Sequence, residues 1–179
     1  MTNETVLQGL PAQVNAHCRV LVLGSMPGVA SLQAARYYAH PRNRFWPVMA
    51  ALCRFDPQLD YPQRIACLQR AGVGLWDVIG QCRRPGSLDA AIVRGSEVAN
   101  PLPDLVRRLP LLQTIACNGT AAAQAFERHV RPALPAERAP AVLALPSTSP
   151  ANAAWSLEKL LGEWARLAPW LPAAGQAGP

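Results

Sequence analysis

Gly24-Ser25-Met26-Pro27-Gly28 follows the apolar run Val20-Leu21-Val22-Leu23 with no polar residue between, the pattern of a buried strand that stops in a Gly/Pro loop. Just downstream, residues 37–46 gather Tyr37, Tyr38, His40, Arg42, Asn43, Arg44, Phe45 and Trp46. Ring faces stack on flat groups, an amide both donates and accepts, and guanidinium groups pair with phosphate. The combination suits a pocket for something flat and polyanionic. Three more apolar runs end in polar residues: Asp77 after Val73-Gly74-Leu75-Trp76, Asn118-Gly119 after Ile115-Ala116-Cys117, and Pro146-Ser147-Thr148-Ser149-Pro150 after Ala141-Val142-Leu143-Ala144-Leu145. Loops of this composition offer backbone N–H groups to phosphate or carbonyl oxygen.

Familiar catalytic spacings are missing. Gly24 and Gly28 fit neither the G-x-G-x-x-G dinucleotide fingerprint nor a phosphate loop ending in Gly-Lys-Ser/Thr. Ser25 lies outside any G-x-S-x-G turn and no pattern aims His17, His40 or His129 at it, so a Ser-His-Asp hydrolase reading fails. His40, between Ala39 and Pro41, reads more simply as a structural loop residue. The five cysteines, Cys18, Cys53, Cys67, Cys82 and Cys117, include no C-x-x-C pair and read as buried free thiols of an intracellular chain.

These residues need a frame. Val20 to Leu23, Gly72 to Val78, Leu111 to Cys117 and Ala141 to Leu145 read as strands. Between and after them, helices are expected over Leu32 to Arg36 with Ser31 as cap, Phe45 to Leu52 with Pro47 in the first turn, Tyr61 to Ala71, Asp104 to Leu109, and Thr120 to His129. Leu157, Leu160, Leu161 and Trp164 mark a closing amphipathic helix. The first eighteen residues read as a lead-in and residues 80–100 as a surface loop. Alternating strands and helices predict an α/β fold: a three-layer α/β/α sandwich around a short, mostly parallel four-stranded sheet. Right-handed crossovers bring the four strand ends to one rim.

The 179 residues suit a single domain over 1–170, with residues 171–179, rich in Ala, Gly and Pro, as a disordered tail. No apolar run is long enough to span a membrane, and Met1 to Gly9 lacks the blocks of a signal peptide, so a cytoplasmic monomer is expected. The formal net charge is +6, carried almost wholly by arginine; Lys159 is the single lysine. Such a balance favours polyanionic partners, although abundant arginine also arises from genome bias.

Taken in order, GSMPG, YYAHPRNRFW, GVGLWDV with C-x-R-x-GSLD after it, CNG and LPSTSPANA resemble the uracil-DNA glycosylase superfamily, most of all its hypoxanthine-DNA (deoxyinosine) glycosylase branch. The chain is also similar to the mismatch-specific uracil glycosylases, which share the HPxNRFW string. The resemblance runs from about Arg19 to Leu167 and implies that a deaminated nucleotide is flipped from double- or single-stranded DNA and its base hydrolysed off. The superfamily's water-positioning Asp or Asn in the first motif is Met26 here, so the resemblance shifts that catalytic role to Asn43, with backbone donors at Ser25 and Met26 assisting. Gly24, Met26 and Pro27 shape the base pocket and Tyr38 is the stacking ring. Asp77 replaces a base-reading Asn, its carboxylate accepting N1–H of hypoxanthine.

Leu145 stands where relatives often carry His or Asn, which passes leaving-group stabilisation to backbone amides or to Asn118; a plain turn role for Asn118 stays open. Arg42, Arg44, Pro146, Ser147, Thr148 and Ser149 are assigned to DNA, the last three with helix capping as the alternative. Trp46 and Trp76 are expected in the core beside the pocket, and Arg83, Arg84 and Arg94 either line the DNA face or are merely solvated. No metal, iron–sulfur cluster or organic cofactor is expected, and no lysine is placed for Schiff-base chemistry. A catalytically silent nucleic-acid binder on the same fold is the alternative, and a small-nucleotide hydrolase of another α/β family a third reading.

Overall fold

The structure is a computed structural model that describes residues 5–173. In chain order its elements are β1 (Val6–Gln8), β2 (Val20–Gly24), α1 (Val29–Ala34), α2 (Phe45–Cys53), α3 (Tyr61–Arg70), β3 (Val73–Asp77), β4 (Ile79–Arg83), β5 (Val98–Ala99), α4 (Leu102–Arg108), β6 (Thr114–Asn118), α5 (Thr120–His129), β7 (Ala141–Leu145) and α6 (Leu157–Trp164). The central sheet has four parallel strands in the order β3-β2-β6-β7.

Both faces of this sheet are covered, and the alternation of side chains says by what. Val20 and Val22 point to one face, where Phe45, Val48 and Met49 of α2, Leu68 of α3, and Leu160 and Trp164 of α6 bury them. Leu21 and Leu23 point to the other and join Leu102 and Leu105 of α4 and Ala122, Ala125 and Phe126 of α5. Burial on both sides explains why β2, β3 and β6 read as unbroken apolar runs; β7 at the edge is more exposed. The chain leaves β2 toward one edge and returns past it to β6, so the loops after β2 and β6 open to opposite faces. In open α/β sheets the crevice at such a switch point holds the ligand.

Caps explain several boundaries. Asp60 and Gln63 form a reciprocal capping box at α3, and Ser156 Oγ accepts from Lys159 N at 3.2 Å to start α6. Ser31 is not the expected cap: α1 opens at Val29 from an uncapped Gly28, and the Ser31 hydroxyl inside the helix accepts from Ala39 N instead. Helix α4 starts earlier than expected, with Pro101 at its N-cap, and β6 starts at Thr114 rather than Leu111.

A second, antiparallel sheet, β1-β4-β5, occupies segments read as lead-in and surface loop. Its strands are short, and in β4 only Ile79 and Cys82 are buried, three residues apart, so no period-2 pattern marks it. Leu171, assigned to a disordered tail, packs into the core cluster with Trp164 and Leu167; the rest of that segment from residue 174 lies outside the described residues. Of the five free cysteines, Cys18, Cys82 and Cys117 are buried as expected, while Cys53 and Cys67 are only partly so.

Candidate active site

The sheet register sets a row of residues at the carboxyl rim. Gly24 pairs with Asp77 and Asn118 with Leu145, one step beyond the Leu23–Cys117 pair. Above this row lies a cleft of about 200 Å³ lined by Gly24–Gly28, Tyr37, Tyr38, His40, Asn43, Asp77, Ser87, Asp89, Asn118 and Ser147–Pro150. It brings together every base-binding and catalytic residue expected from the sequence. Among those assigned to DNA, Ser147, Thr148 and Ser149 line it, while Pro146, Arg42 and Arg44 do not.

Asp77 is 4 % exposed, and its Oδ2 is buried without a hydrogen-bond partner. Desolvation pushes its carboxyl up to about 8, with the nearby Asp89 charge adding to the rise and Arg84 opposing it. The Tyr37 hydroxyl relieves little of this, because it donates to the carbonyls of Leu10 (3.2 Å) and Pro11 (3.0 Å). Burial thus shifts Asp77 toward the neutral acid, whereas its residue type alone suggests a carboxylate. Gly24 makes room for it: a Cβ there would lie 2.4 Å from Asp77 Oδ1.

Tyr38, with φ 54°, turns its ring onto Phe45 at a centroid distance of 3.8 Å and 20° between planes. One ring face is thus backed by the core, and the half-buried ring lines the cleft. Trp46 is buried and donates through Nε1 to Tyr37 O, while Trp76, half-buried, donates to Leu10 O; both sit where the sequence placed them.

Asn43 is held by its neighbours. Its Oδ1 accepts from Phe45 N (3.0 Å) and from Thr148 Oγ1 (2.9 Å), which fills both lone pairs and leaves Nδ2 as the group it can offer. Thr148 in turn exchanges two bonds with Asn118, through Thr148 N to Asn118 Oδ1 and Asn118 Nδ2 to Thr148 Oγ1, each 3.0 Å. Asn118 is thus tied to the loop after β7 through both ends of its amide, and it keeps a second Nδ2 hydrogen at the cleft it lines. Thr148, expected against phosphate, is fully buried in this network. Arg44 is also internal: its guanidinium donates to the carbonyls of Ser149 (2.8 Å), Asn152 (3.1 Å) and Trp155, clamping that loop instead of facing DNA. Arg42 is exposed and free to meet phosphate. Ser147 and Ser149 are half-buried, and their hydroxyls accept from the backbone N–H groups of Ser149 and Ala151. Pro146 offers only its carbonyl, to Trp164 Nε1.

Two residues that shape the cleft, Asp89 in its lining and Arg84 behind the Gly24–Gly28 loop, were not among the expected site residues. Arg84, offered as a DNA-facing or solvated arginine, has a fully buried side chain that donates to the carbonyls of Met26 (3.5 Å), Pro27 (2.5 Å) and Gly86 (2.9 Å). It ties the Gly24–Gly28 loop to the segment after β4. Asp89 lies 4.0 Å from Arg84 Nη1 and accepts from Ser25 Oγ at 2.7 Å. The C-x-R-x-GSLD string carried both, but nothing in it told a buried brace from a solvated arginine. Among the described residues no cluster of three His, Cys, Asp or Glu could hold a metal ion, and no helix is long and apolar enough to cross a membrane.

Comparison with known proteins agrees with this geometry. The family profile described as the Uracil DNA glycosylase superfamily matches residues 11–170. A Hypoxanthine DNA glycosylase of Methanosarcina barkeri is 34% identical over 113 residues, 63% of this chain and 70% of that one. A second, from Methanosarcina acetivorans, is 32% identical over 120 residues, 66% of this chain and 75% of its own length. The solution NMR structure of a candidate uracil DNA glycosylase from Methanosarcina acetivorans superposes with a TM-score of 0.77 at 27% identity, covering 93% of this chain and 99% of that one. With a matching profile over most of its length, a shared sheet and relatives above 30% identity, the chain belongs to the uracil DNA glycosylase superfamily, on the branch of its hypoxanthine DNA glycosylases.

Proposed function

We propose that this DNA glycosylase removes hypoxanthine from deoxyinosine, and uracil as a second substrate, by hydrolysis of the N-glycosidic bond without strand cleavage. The observation that carries the substrate is Asp77, a buried acid without an ion-pair partner at the end of β3. Deamination turns an amino-substituted ring into a lactam, with N–H beside C=O. A neutral carboxyl meets that edge without repulsion: it can accept the N–H or donate to the carbonyl, and a carboxylate cannot donate. The same proton would stabilise negative charge developing on the leaving base, a task for which Leu145 offers no group.

Guanine and thymine carry lactam edges as well. They sit in intact pairs, whereas deaminated bases sit in mispairs that flip at lower cost. Inside the cleft the base stacks on the Tyr38 ring while Asn43 Nδ2 holds water near C1′. Lys159, the single lysine, is exposed on α6 outside the cleft, which supports hydrolysis over a Schiff-base route.

The test is a panel of duplexes carrying inosine, uracil, xanthine or a thymine mismatch, incubated with pure protein and chelator and scored for abasic sites. Inosine is expected to be cleaved of its base fastest, followed by uracil. Base release from none of them would leave only the silent binder.

A further inference from the structure

The cleft needs a group to take the proton of the attacking water, and the residue assigned to water cannot do so. Asn43 Oδ1 already accepts two hydrogen bonds, so Asn43 holds water only by donating to its oxygen. Met26, in the position the superfamily uses, has no proton acceptor. His40 Nδ1 accepts the Arg42 N–H at 3.1 Å, which places the ring proton on Nε2. Asn118 Oδ1 accepts from Thr148 N and, as an amide oxygen, cannot keep a water proton, and the Tyr37 hydroxyl is held as a donor by two carbonyls. Asp77 is buried without an ion-pair partner and serves the base. Asp89 remains.

We propose that Asp89 is the catalytic carboxylate, accepting the water proton and facing the oxocarbenium-like sugar. Its side chain is 38% exposed at the cleft, so substrate and solvent reach it, while Arg84 beneath it is fully enclosed. Ser25 Oγ and the Arg84 guanidinium both lie against its Oδ1, which orients the carboxylate and leaves Oδ2 without a side-chain hydrogen bond. An acid lining a cleft meant for a polyanion repels the ground state. Set against a sugar that becomes cationic as the bond breaks, the same charge stabilises the transition state.

The step balances. The C1′–N9 bond breaks and its electron pair leaves with the purine, whose carbonyl receives a hydrogen bond from the Asp77 O–H. Water oxygen bonds to C1′, its proton passes to Asp89, and that proton is returned through solvent to a ring nitrogen of the free base. Asp77 thus supplies a hydrogen bond to the leaving base and Asp89 takes the water proton, a division of labour between two carboxyl groups comparable to that of O-glycoside hydrolysis.

This inference rests on the glycosylase reading, and the experiment separates the two. Single-turnover base release from an inosine duplex is compared for the wild type, Asp89→Asn and Asp89→Ala, together with DNA affinity at fixed salt and thermal midpoint. Asp89→Asn, which keeps a partner for Ser25, is expected to lose at least about 100-fold in rate while binding DNA as tightly as or more tightly than the wild type and melting at the same temperature. Formate added to Asp89→Ala is expected to restore part of the rate. Excision by Asp89→Asn within threefold of an active wild type overturns the assignment. So does a rate loss matched by a loss of affinity or a lower midpoint, which would make Asp89 a structural partner of Arg84. A wild type that releases no base defeats the glycosylase reading itself.

Discussion

Asp77 has a consequence that can be measured without any substrate. Its carboxyl is raised from 3.8 to about 8 by burial, Asp89 adding to the rise and Arg84 opposing it, with the Tyr37 and Tyr38 hydroxyls as the other titratable groups beside it. Below pH 4 both folded and unfolded chains hold the proton. From about pH 4 to 8 only the folded chain does, so folding loses stability as pH rises, by up to about 1.4 kcal/mol per unit and a few kcal/mol in all. Asp77→Asn cannot titrate. Urea denaturation at pH 5 and pH 8 is therefore expected to show the wild type falling by a few kcal/mol relative to the variant; parallel behaviour would mean that Asp77 is ionised in the fold. The sequence showed Asp77 at a strand end but not its charge, because ionisation here is set by burial, a tertiary property. For the same reason Arg84 and Arg44 looked like surface cations: nothing local distinguishes a guanidinium facing phosphate from one facing three carbonyls.

At the scale of elements, the cleft is made of loops, and buried side chains fix those loops. Arg44, next to Asn43 and at the start of α2, binds the segment after β7 at Ser149, Asn152 and Trp155, while the Asn43–Thr148–Asn118 chain binds the same segment from the other side. Arg44→Ala removes charge-assisted hydrogen bonds to three carbonyls, of which Ser149 O and Asn152 O keep a backbone donor, and should cost about 3 kcal/mol, read as a fall of roughly 10 °C in thermal midpoint. Arg44→Lys should recover little of it, since one ammonium cannot replace a planar fork that reaches three acceptors. A midpoint within 2 °C of the wild type (about 0.5 kcal/mol) for Arg44→Ala would return Arg44 to the DNA-facing set. β2, β3 and β6 were legible because each is buried on both faces, and β7, more exposed, because its apolar run stops at Pro146; the first three end at Gly, Asp or Asn. The small sheet was not, because β1 finds its partner more than seventy residues later (Val6 opposite Arg83) and β4 has no alternation to announce it.

For the whole molecule, the parallel sheet, its switch point and a formal charge of +6 meet in one arrangement: a cleft at the carboxyl rim of a basic protein, lined by a tyrosine ring, an asparagine amide and two carboxyl groups, one of them buried. The sequence assembled most of these residues through ordered motifs that the fold brings to one rim. The pairing of Asp77 with Asp89 could not be read there, because it depends on the Arg84 brace folding the segment after β4 back over Gly24–Gly28. The most direct measurement is free hypoxanthine released from an inosine-containing duplex, followed together with the integrity of the abasic strand. Release with the strand intact until alkali is added, falling at least about 100-fold in Asn43→Ala at retained DNA affinity, is the predicted result. Salt-sensitive DNA binding with no free base, or cleavage of the strand without alkali, would contradict it.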